Sequence, residues 1–275
     1  MKKVQPIVGQ EKLVKEINKI FDIFKASECV IRPHFFLTGS SGSGKSFTIY
    51  NLAKAKDLNF MEINAAQLTK EGVSGNSLSK ALSPIQNCYN RPTIVFIDEF
   101  DKLFVSGNSN SSGAHESTTG VQNEFLKILE ADHASVFGDY GKFINVPMKK
   151  MMLVFAGAFN GEKNISIDRL RDLGLKTEFL GRVPLIYNTE DLSLDNLYDI
   201  LESSPLLASY LELFPEVDRE STIYTLKAFI QKNYEFNTLG ARMVNTIINK
   251  FFIKGGKLEE EELTQVTFQN KLTLD

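Results

Sequence analysis

Apolar residues recur three and four apart over residues 12–25 (KLVKEINKIFDIFK), putting Leu13, Ile17, Ile20, Phe21 and Phe24 on one face. That spacing predicts an amphipathic helix. The pattern then shortens. Residues 34–38 (HFFLT), 59–64 (NFMEIN), 93–97 (TIVFI), 151–155 (MMLVF) and 183–187 (VPLIY) are compact, mostly apolar runs. The third and the fourth read as strands buried on both faces. Helical spacing returns between runs, at residues 47–55 and at Val121, Phe125, Ile128 and Leu129. Strands alternating with helices predict an α/β fold, a mainly parallel sheet flanked by helices. From about residue 191 strand signals nearly vanish, while residues 195–201, 221–232 and 238–252 keep apolar positions three and four apart. The expected division is an α/β domain over residues 1–190 and a small all-α domain over residues 191–275. Residues 106–120 (SGNSNSSGAHESTTG) carry almost no apolar side chains and are expected to form a mobile surface loop. The acidic run at residues 259–262 reads as a solvated helix face or tail.

Composition narrows the class. The chain has 275 residues, 43% hydrophobic and 24% charged, which is ordinary for a soluble globular protein. No run approaches the ~18 apolar residues of a membrane span, and no apolar signal core follows the N-terminal lysines, so a cytoplasmic location without membrane contact is expected. A net charge of −3 argues against a dedicated nucleic-acid binder. Cys29 and Cys88 stand far apart, and His34, His115 and His133 lack metal-site spacing.

Residues 39–46 (GSSGSGKS) fit G-x-x-x-x-G-K-[ST] at every specified position, between a predicted strand and a predicted helix. In such a loop the backbone curls so that successive N–H groups, here along Ser40, Ser41, Gly42, Ser43 and Gly44, point at phosphate oxygens. Lys45 reaches the β- and γ-phosphates, and the Ser46 hydroxyl ligates Mg²⁺. The apolar run at 93–97 ends in Asp98-Glu99, two carboxylates at the C-terminal end of a buried strand. Asp98 suits the metal, and Glu99 suits orientation of an attacking water. ATP and Mg²⁺ are the expected cofactors.

These residues, followed by Phe100-Asp101-Lys102, resemble the AAA+ ATPases, in particular the ClpX/HslU branch of protein unfoldases, whose matching segment ends in DEIDK. The likeness recurs along the chain. Ile7-Val8-Gly9-Gln10 is similar to the family's I-x-G-Q box, which implies that Val8 borders the adenine. Residues 120–130 (GVQNEFLKILE) resemble GVQQALLKLIEG, residues 155–159 (FAGAF) resemble CGGAF or ASGAF, and residues 179–184 (FLGRVP) resemble FIGRLP. Gly240-Ala241-Arg242 matches the GAR of the helical lid. The resemblance implies that Arg182 is the arginine finger acting in a neighbouring subunit's ATP site, with Arg169 and Arg171 as alternatives. It implies that Arg242 is sensor 2, contacting the nucleotide's phosphates. A planar guanidinium fork suits both tasks better than an ammonium. A finger supplied in trans implies a ring, most simply a hexamer, and the family implies a protein substrate.

Some positions depart from the pattern. The polar sensor-1 residue at the end of the fourth strand aligns with Ala156, with Asn160 four residues on as the substitute if the backbone turns back. The aromatic pore loop G-Y-V-G aligns with Gly72-Val73-Ser74-Gly75, which lacks the aromatic grip. The second pore loop falls roughly at residues 106–120, with no Lys or Arg between Lys102 and Lys127. Nothing upstream of Ile7 is long enough for a zinc-binding N-domain, and only residues 161–177 stand where an IGF-bearing loop would be, so docking to a ClpP-type peptidase is not expected by that route. The reading is an oligomeric Mg²⁺-dependent ATPase that remodels or unfolds proteins. Its rivals are a nucleic-acid motor or loader of the clamp-loader or RuvB-like kind, and a slowly hydrolysing assembly switch.

Overall fold

A computed structural model describes residues 5–69, 75–104, 112–138, 141–256 and 258, without the side chains of residues 112–119. The predicted first helix is α1, Glu11–Ala26, and its buried residues are the five expected ones. In chain order there follow β1 (Phe35–Thr38), α2 (Lys45–Ala55), β2 (Asn59–Asn64), β3 (Leu68–Thr69), β4 (Asn76–Ser77) and α3 (Leu78–Ala81). Next come β5 (Thr93–Asp98), α4 (Ser112–Glu130), β6 (His133–Phe137), β7 (Phe143–Pro147) and β8 (Met151–Gly157). Then α5 (Ile167–Asp172), α6 (Thr177–Arg182) and β9 (Leu185–Asn188) complete the first unit, Met1–Asp191. The second unit, Leu192–Asp275, holds α7 (Leu194–Glu202), α8 (Pro205–Leu213), α9 (Arg219–Asn233) and α10 (Arg242–Ile253).

The five runs read as strands form one parallel sheet in the order β2-β5-β8-β1-β9. Its central members β1, β5 and β8 are buried nearly throughout, while the edge strands β2 and β9 are mostly half-exposed. Apolar side chains fill both faces because alternate residues point opposite ways. Phe36, Val95, Ile97 and Phe155 face the layer containing Val121, Phe125 and Phe179; Phe35, Leu37, Ile94, Phe96, Val154 and Ala156 face the layer containing Ile17, Phe21 and Ile49. On the first face Phe100 packs against Phe36, Phe125, Phe155 and Phe179, with ring centroids 4.8–6.1 Å apart. Truncating one of these rings to Ala removes about 3–5 kcal/mol of stability. The second unit has its own apolar core, built on Leu197, Leu201, Leu226, Ile230, Val244, Ile247 and Ile248.

Several expectations need correction. The segment from Ser112 to Gly120, read as loop, is the first half of α4; the apolar stripe at Val121, Phe125, Ile128 and Leu129 anchors a helix that extends N-terminally past its own apolar part. The remainder of that segment, residues 106–111, lies outside the described residues. The last helix starts at Arg242 rather than residue 238, since Gly240 takes φ 56° just before it. The fifth strand starts two residues late, at Leu185, after Pro184, which has no N–H to give a ladder. The antiparallel hairpin β6–β7, the two-residue pairing β3–β4 and helices α5, α6 and α8 carried too little apolar periodicity to be read. Gly72, Val73 and Ser74 of the aligned pore loop, and residues 259–262, lie outside the described residues. No helix among the described residues is long and apolar enough to cross a membrane.

Candidate nucleotide site

β1 runs into the loop of residues 39–44 and then into α2, the strand–loop–helix arrangement a phosphate-binding loop requires. The glycines have separate causes. A Cβ on Gly39 would fall 1.7 Å from Thr189 Oγ1, so the start of the loop is shaped by close approach of the segment after β9. Gly44 has φ 89° at the N-cap of α2 and offers no side-chain cap, leaving the first N–H groups of this 11-residue helix without one. Lys45 Nζ donates to the carbonyl oxygens of Gly39 (2.7 Å) and Ser40 (3.0 Å), which folds the ammonium back over the loop. Ser43 Oγ is buried there without a hydrogen-bond partner. Ser40, Gly42 and Ser46 are half-buried and Ser41 is exposed. Curled backbone, an oriented ammonium and an unpartnered hydroxyl suit a polyphosphate.

The sheet register brings the carboxylates to this loop. Phe36 is level with Phe155, and Phe155 with Ile97. One residue on, Asp98 stands level with Ala156 and Leu37, two strand spacings or about 10 Å from β1. Asp98 accepts a hydrogen bond from the Glu99 N–H (2.9 Å), and Glu99 takes a left-handed conformation, φ 54° and ψ 30°. A non-glycine residue held there costs about 1–2 kcal/mol, and such strain clusters at functional sites. Glu62 stands level with Phe96 on the adjacent strand β2, so a third carboxylate flanks the end of β5, and burial, then the charge of Asp98, raise its pKa. Ser46 and Asp98 carry hard oxygen atoms, the donor type that suits Mg²⁺. Among the described residues no cluster of three His, Cys, Asp or Glu forms a separate metal site.

Val8 lies in the segment leading to α1 and is half-buried. That segment is fastened by Gln10, whose buried carboxamide donates to Glu190 O (2.7 Å) and accepts from Glu190 N (3.0 Å). A cavity of about 430 Å³ lies alongside, lined in part by Lys12, Leu13, Gly39, Ser40, Tyr187 and Thr189. Asn188 at the end of β9 accepts from Thr38 Oγ1 (2.5 Å) and from Ile165 N (2.8 Å), tying β1 to the approach to α5. Gln10 and Asn188 were not singled out from the sequence. Gln10 stands in the quoted I-x-G-Q segment, but a side chain bonded to backbone far along the chain leaves no local signal.

Arg182 sits in the last turn of α6, where its guanidinium pairs with Glu130 and donates to Glu178 O (3.2 Å). Arg169 forms a two-pronged pair with Glu162, and Arg171 pairs with Asp168. Arg182 is therefore held at the C-terminal end of α4. Ala156 is fully buried among the apolar residues facing α1 and α2, and Asn160 is exposed. Arg242 is the first residue of α10 in the second unit.

The family model "ATPase family associated with various cellular activities (AAA)" matches residues 35–166, which span the loop, both carboxylates and β8. The chain is 29% identical to the ATP-dependent Clp protease ATP-binding subunit ClpX 2 of Wolinella succinogenes, over 88% of this chain and 70% of that one. It is 27% identical to the ClpX subunit of Bacteroides fragilis, over 79% of this chain and 63% of that one. The figures for the ClpX subunit of Porphyromonas gingivalis are 28%, 79% and 64%. The chain thus spans about two thirds of the length of the curated relatives it matches.

Proposed function

From the premise that the chain is a ClpX-like AAA+ ATPase, we propose that it hydrolyses ATP with Mg²⁺ in a ring of identical subunits and couples turnover to remodelling or unfolding of a protein. The observation that carries this reading is the register that sets Asp98 and Glu99 across β8 from the loop bearing Lys45. Hydrolysis needs a water oxygen to bond to the γ-phosphorus while the bond to the β–γ bridging oxygen breaks and ADP leaves. Positioning and charge stabilisation supply most of the rate. The backbone N–H groups of residues 40–44 and the Lys45 ammonium hold the phosphates. Bound Mg²⁺ would neutralise developing charge, held by Ser46 and Asp98. Glu99 orients the water. Val8 borders the base, and Arg242 is the phosphate-binding candidate of the second unit. Arg182 acts on the neighbouring subunit's nucleotide, so full activity belongs to the assembly, for which a hexamer is the simplest ring.

The test is a pull-down with Glu99→Gln in the presence of ATP. A substitution that keeps binding and removes water orientation should hold the ring and its protein substrate together. Recovery of monomer alone, at concentrations where wild type turns over ATP, would exclude the ring. Stimulation of wild-type turnover by DNA and not by protein would exclude protein remodelling.

A further inference from the structure

Two ring contacts fix where α2 lies against the sheet. Tyr50 of α2 meets Phe60 of β2 edge-on, with centroids 5.4 Å apart, and Phe60 packs 5.9 Å from Phe96 of β5. β1 and β2 belong to one parallel sheet, so the helix that joins them runs back, antiparallel to the strands. One turn from Tyr50 toward the start of α2 lies Ser46, about 6 Å along the helix on the same face. Two residues beyond Phe60 on β2 lies Glu62, about 6.6 Å along the strand and again on the same face. Both steps lead toward the C-terminal end of the sheet. Glu62 therefore comes level with Ser46, the hydroxyl assigned to the metal.

Asp98 closes the group from the third side. Glu62 is level with Phe96, and Asn64 with Asp98, so all four side chains share the α2 face of the sheet. Two residues along the strand and one strand across put the Glu62 and Asp98 Cα atoms roughly 8 Å apart. Asn64 beside them is already engaged, its Oδ1 accepting from the Ala66 N–H at 2.9 Å. Glu62 is exposed and makes no hydrogen bond or ion pair among the described residues. The charge acting on it there is that of Asp98, of the same sign. Two carboxylates and a hydroxyl thus face one region beside the phosphate loop without a fixed counter-cation.

We propose that Glu62 accepts a hydrogen bond from a water on the metal that Ser46 and Asp98 hold, and so sets the affinity of the site for the divalent cation rather than for the nucleotide. The proposal rests on the ATPase reading. Mg²⁺ dehydrates reluctantly and keeps several of its waters, which donate hydrogen bonds outward. A carboxylate standing behind the direct ligands can accept such a bond, and groups in that position tune metal affinity.

The experiment titrates Mn²⁺, followed by electron paramagnetic resonance, into the full chain saturated with ADP, and measures fluorescent-ADP affinity separately in EDTA. Glu62→Gln keeps the shape and removes the charge. It should weaken Mn²⁺ binding by about tenfold, the lower end for loss of a partner behind a metal's direct ligands. Affinity for ADP in EDTA should change less than about twofold, because Glu62 meets the phosphates only through the metal. Glu62→Asp keeps the charge and shortens the reach, and should weaken Mn²⁺ nearly as much. An Mn²⁺ affinity in Glu62→Gln within about twofold of wild type would overturn the proposal and leave the ATPase reading intact. Full affinity in Glu62→Asp beside a loss in Glu62→Gln would overturn the positioned contact in favour of charge alone. Wild-type Mn²⁺ binding no tighter with ADP than without it would instead refute the nucleotide–metal reading itself. Glu62 lies exposed on an edge strand, so both variants should fold, and thermal melts check this.

Discussion

Arg182 is ion-paired with Glu130 of its own chain, across the gap between α6 and the last residue of α4. Both side chains are partly exposed, 37% and 50%, so solvent screens the pair and it contributes at most about 1 kcal/mol. That is weak enough to exchange for a phosphate on a neighbouring subunit. As an arginine finger, Arg182→Ala should lower kcat by about a thousandfold with ATP affinity nearly unchanged. Glu130→Gln, which frees the finger, should raise turnover by up to about fivefold, the equivalent of that 1 kcal/mol. Equal turnover in wild type and Arg182→Ala would remove the finger from this residue and turn attention to Arg169 and Arg171.

Lys45 and Glu99 should fail in different ways. The ammonium already bridges Gly39 and Ser40, so Lys45→Ala loses both phosphate contact and a hold on the loop. Fluorescent-nucleotide titration should show affinity falling at least tenfold. Glu99→Gln should keep affinity within about threefold and lose turnover by at least a hundredfold. If the two variants lost affinity equally, Glu99 would be a binding group rather than a water-orienting one.

His34 gives the fold an acid limit. It lies just before β1, 9% exposed, and its Nδ1 accepts from the Leu153 N–H at 2.9 Å. Burial, then the nearby Arg32 charge, lower its pKa to about 4 from 6.5. The folded state thus binds fewer protons than the unfolded state between those values. Stability from neutral His34 is complete above pH 6.5, falls as pH drops, and is gone near pH 4, an effect of about 3 kcal/mol. Chemical denaturation of wild type and His34→Asn across pH 4–7 should show the wild-type advantage shrinking with acid. A constant difference would mean that His34 does not couple protonation to folding.

The sheet and the loop were legible because they leave local signals: TIVFI and MMLVF are apolar throughout, and GSSGSGKS specifies its own backbone. β6 and β7 were not, since HASVF and FINVP alternate too briefly, and the exposed Phe143 and Ile144 blur the period. The first half of α4 failed for the opposite reason, because its polar sequence resembles a loop and the helix is anchored further along, at Val121 and Phe125. Asp98 and Glu99 could be read from their position after a buried strand. Asp101 could not, since its partner is a backbone N–H 58 residues away. Contacts of this kind exist only once the sheet is assembled.

Gln10 and Glu190 test that class of long-range contact most directly. They are 180 residues apart, and the Gln10 carboxamide satisfies both backbone groups of Glu190. Gln10→Ala strands a part-buried N–H and C=O, and should lower stability by about 2 kcal/mol or more. It should also weaken nucleotide binding by releasing the segment that carries Val8. Gln10→Glu is more informative. A carboxylate still accepts from the Glu190 N–H but offers the Glu190 carbonyl only a repelling oxygen, so at neutral pH it should be at least as destabilising as alanine. A protonated carboxyl again presents one donor and one acceptor. The gap between wild type and Gln10→Glu should therefore narrow as pH falls toward and below about 4.3, the ordinary glutamate value, while the gap for Gln10→Ala stays fixed. Guanidinium denaturation of the three proteins at pH 7 and pH 4.5 reads this directly. Parallel shifts of both variants would show that the carboxamide's donor side is dispensable.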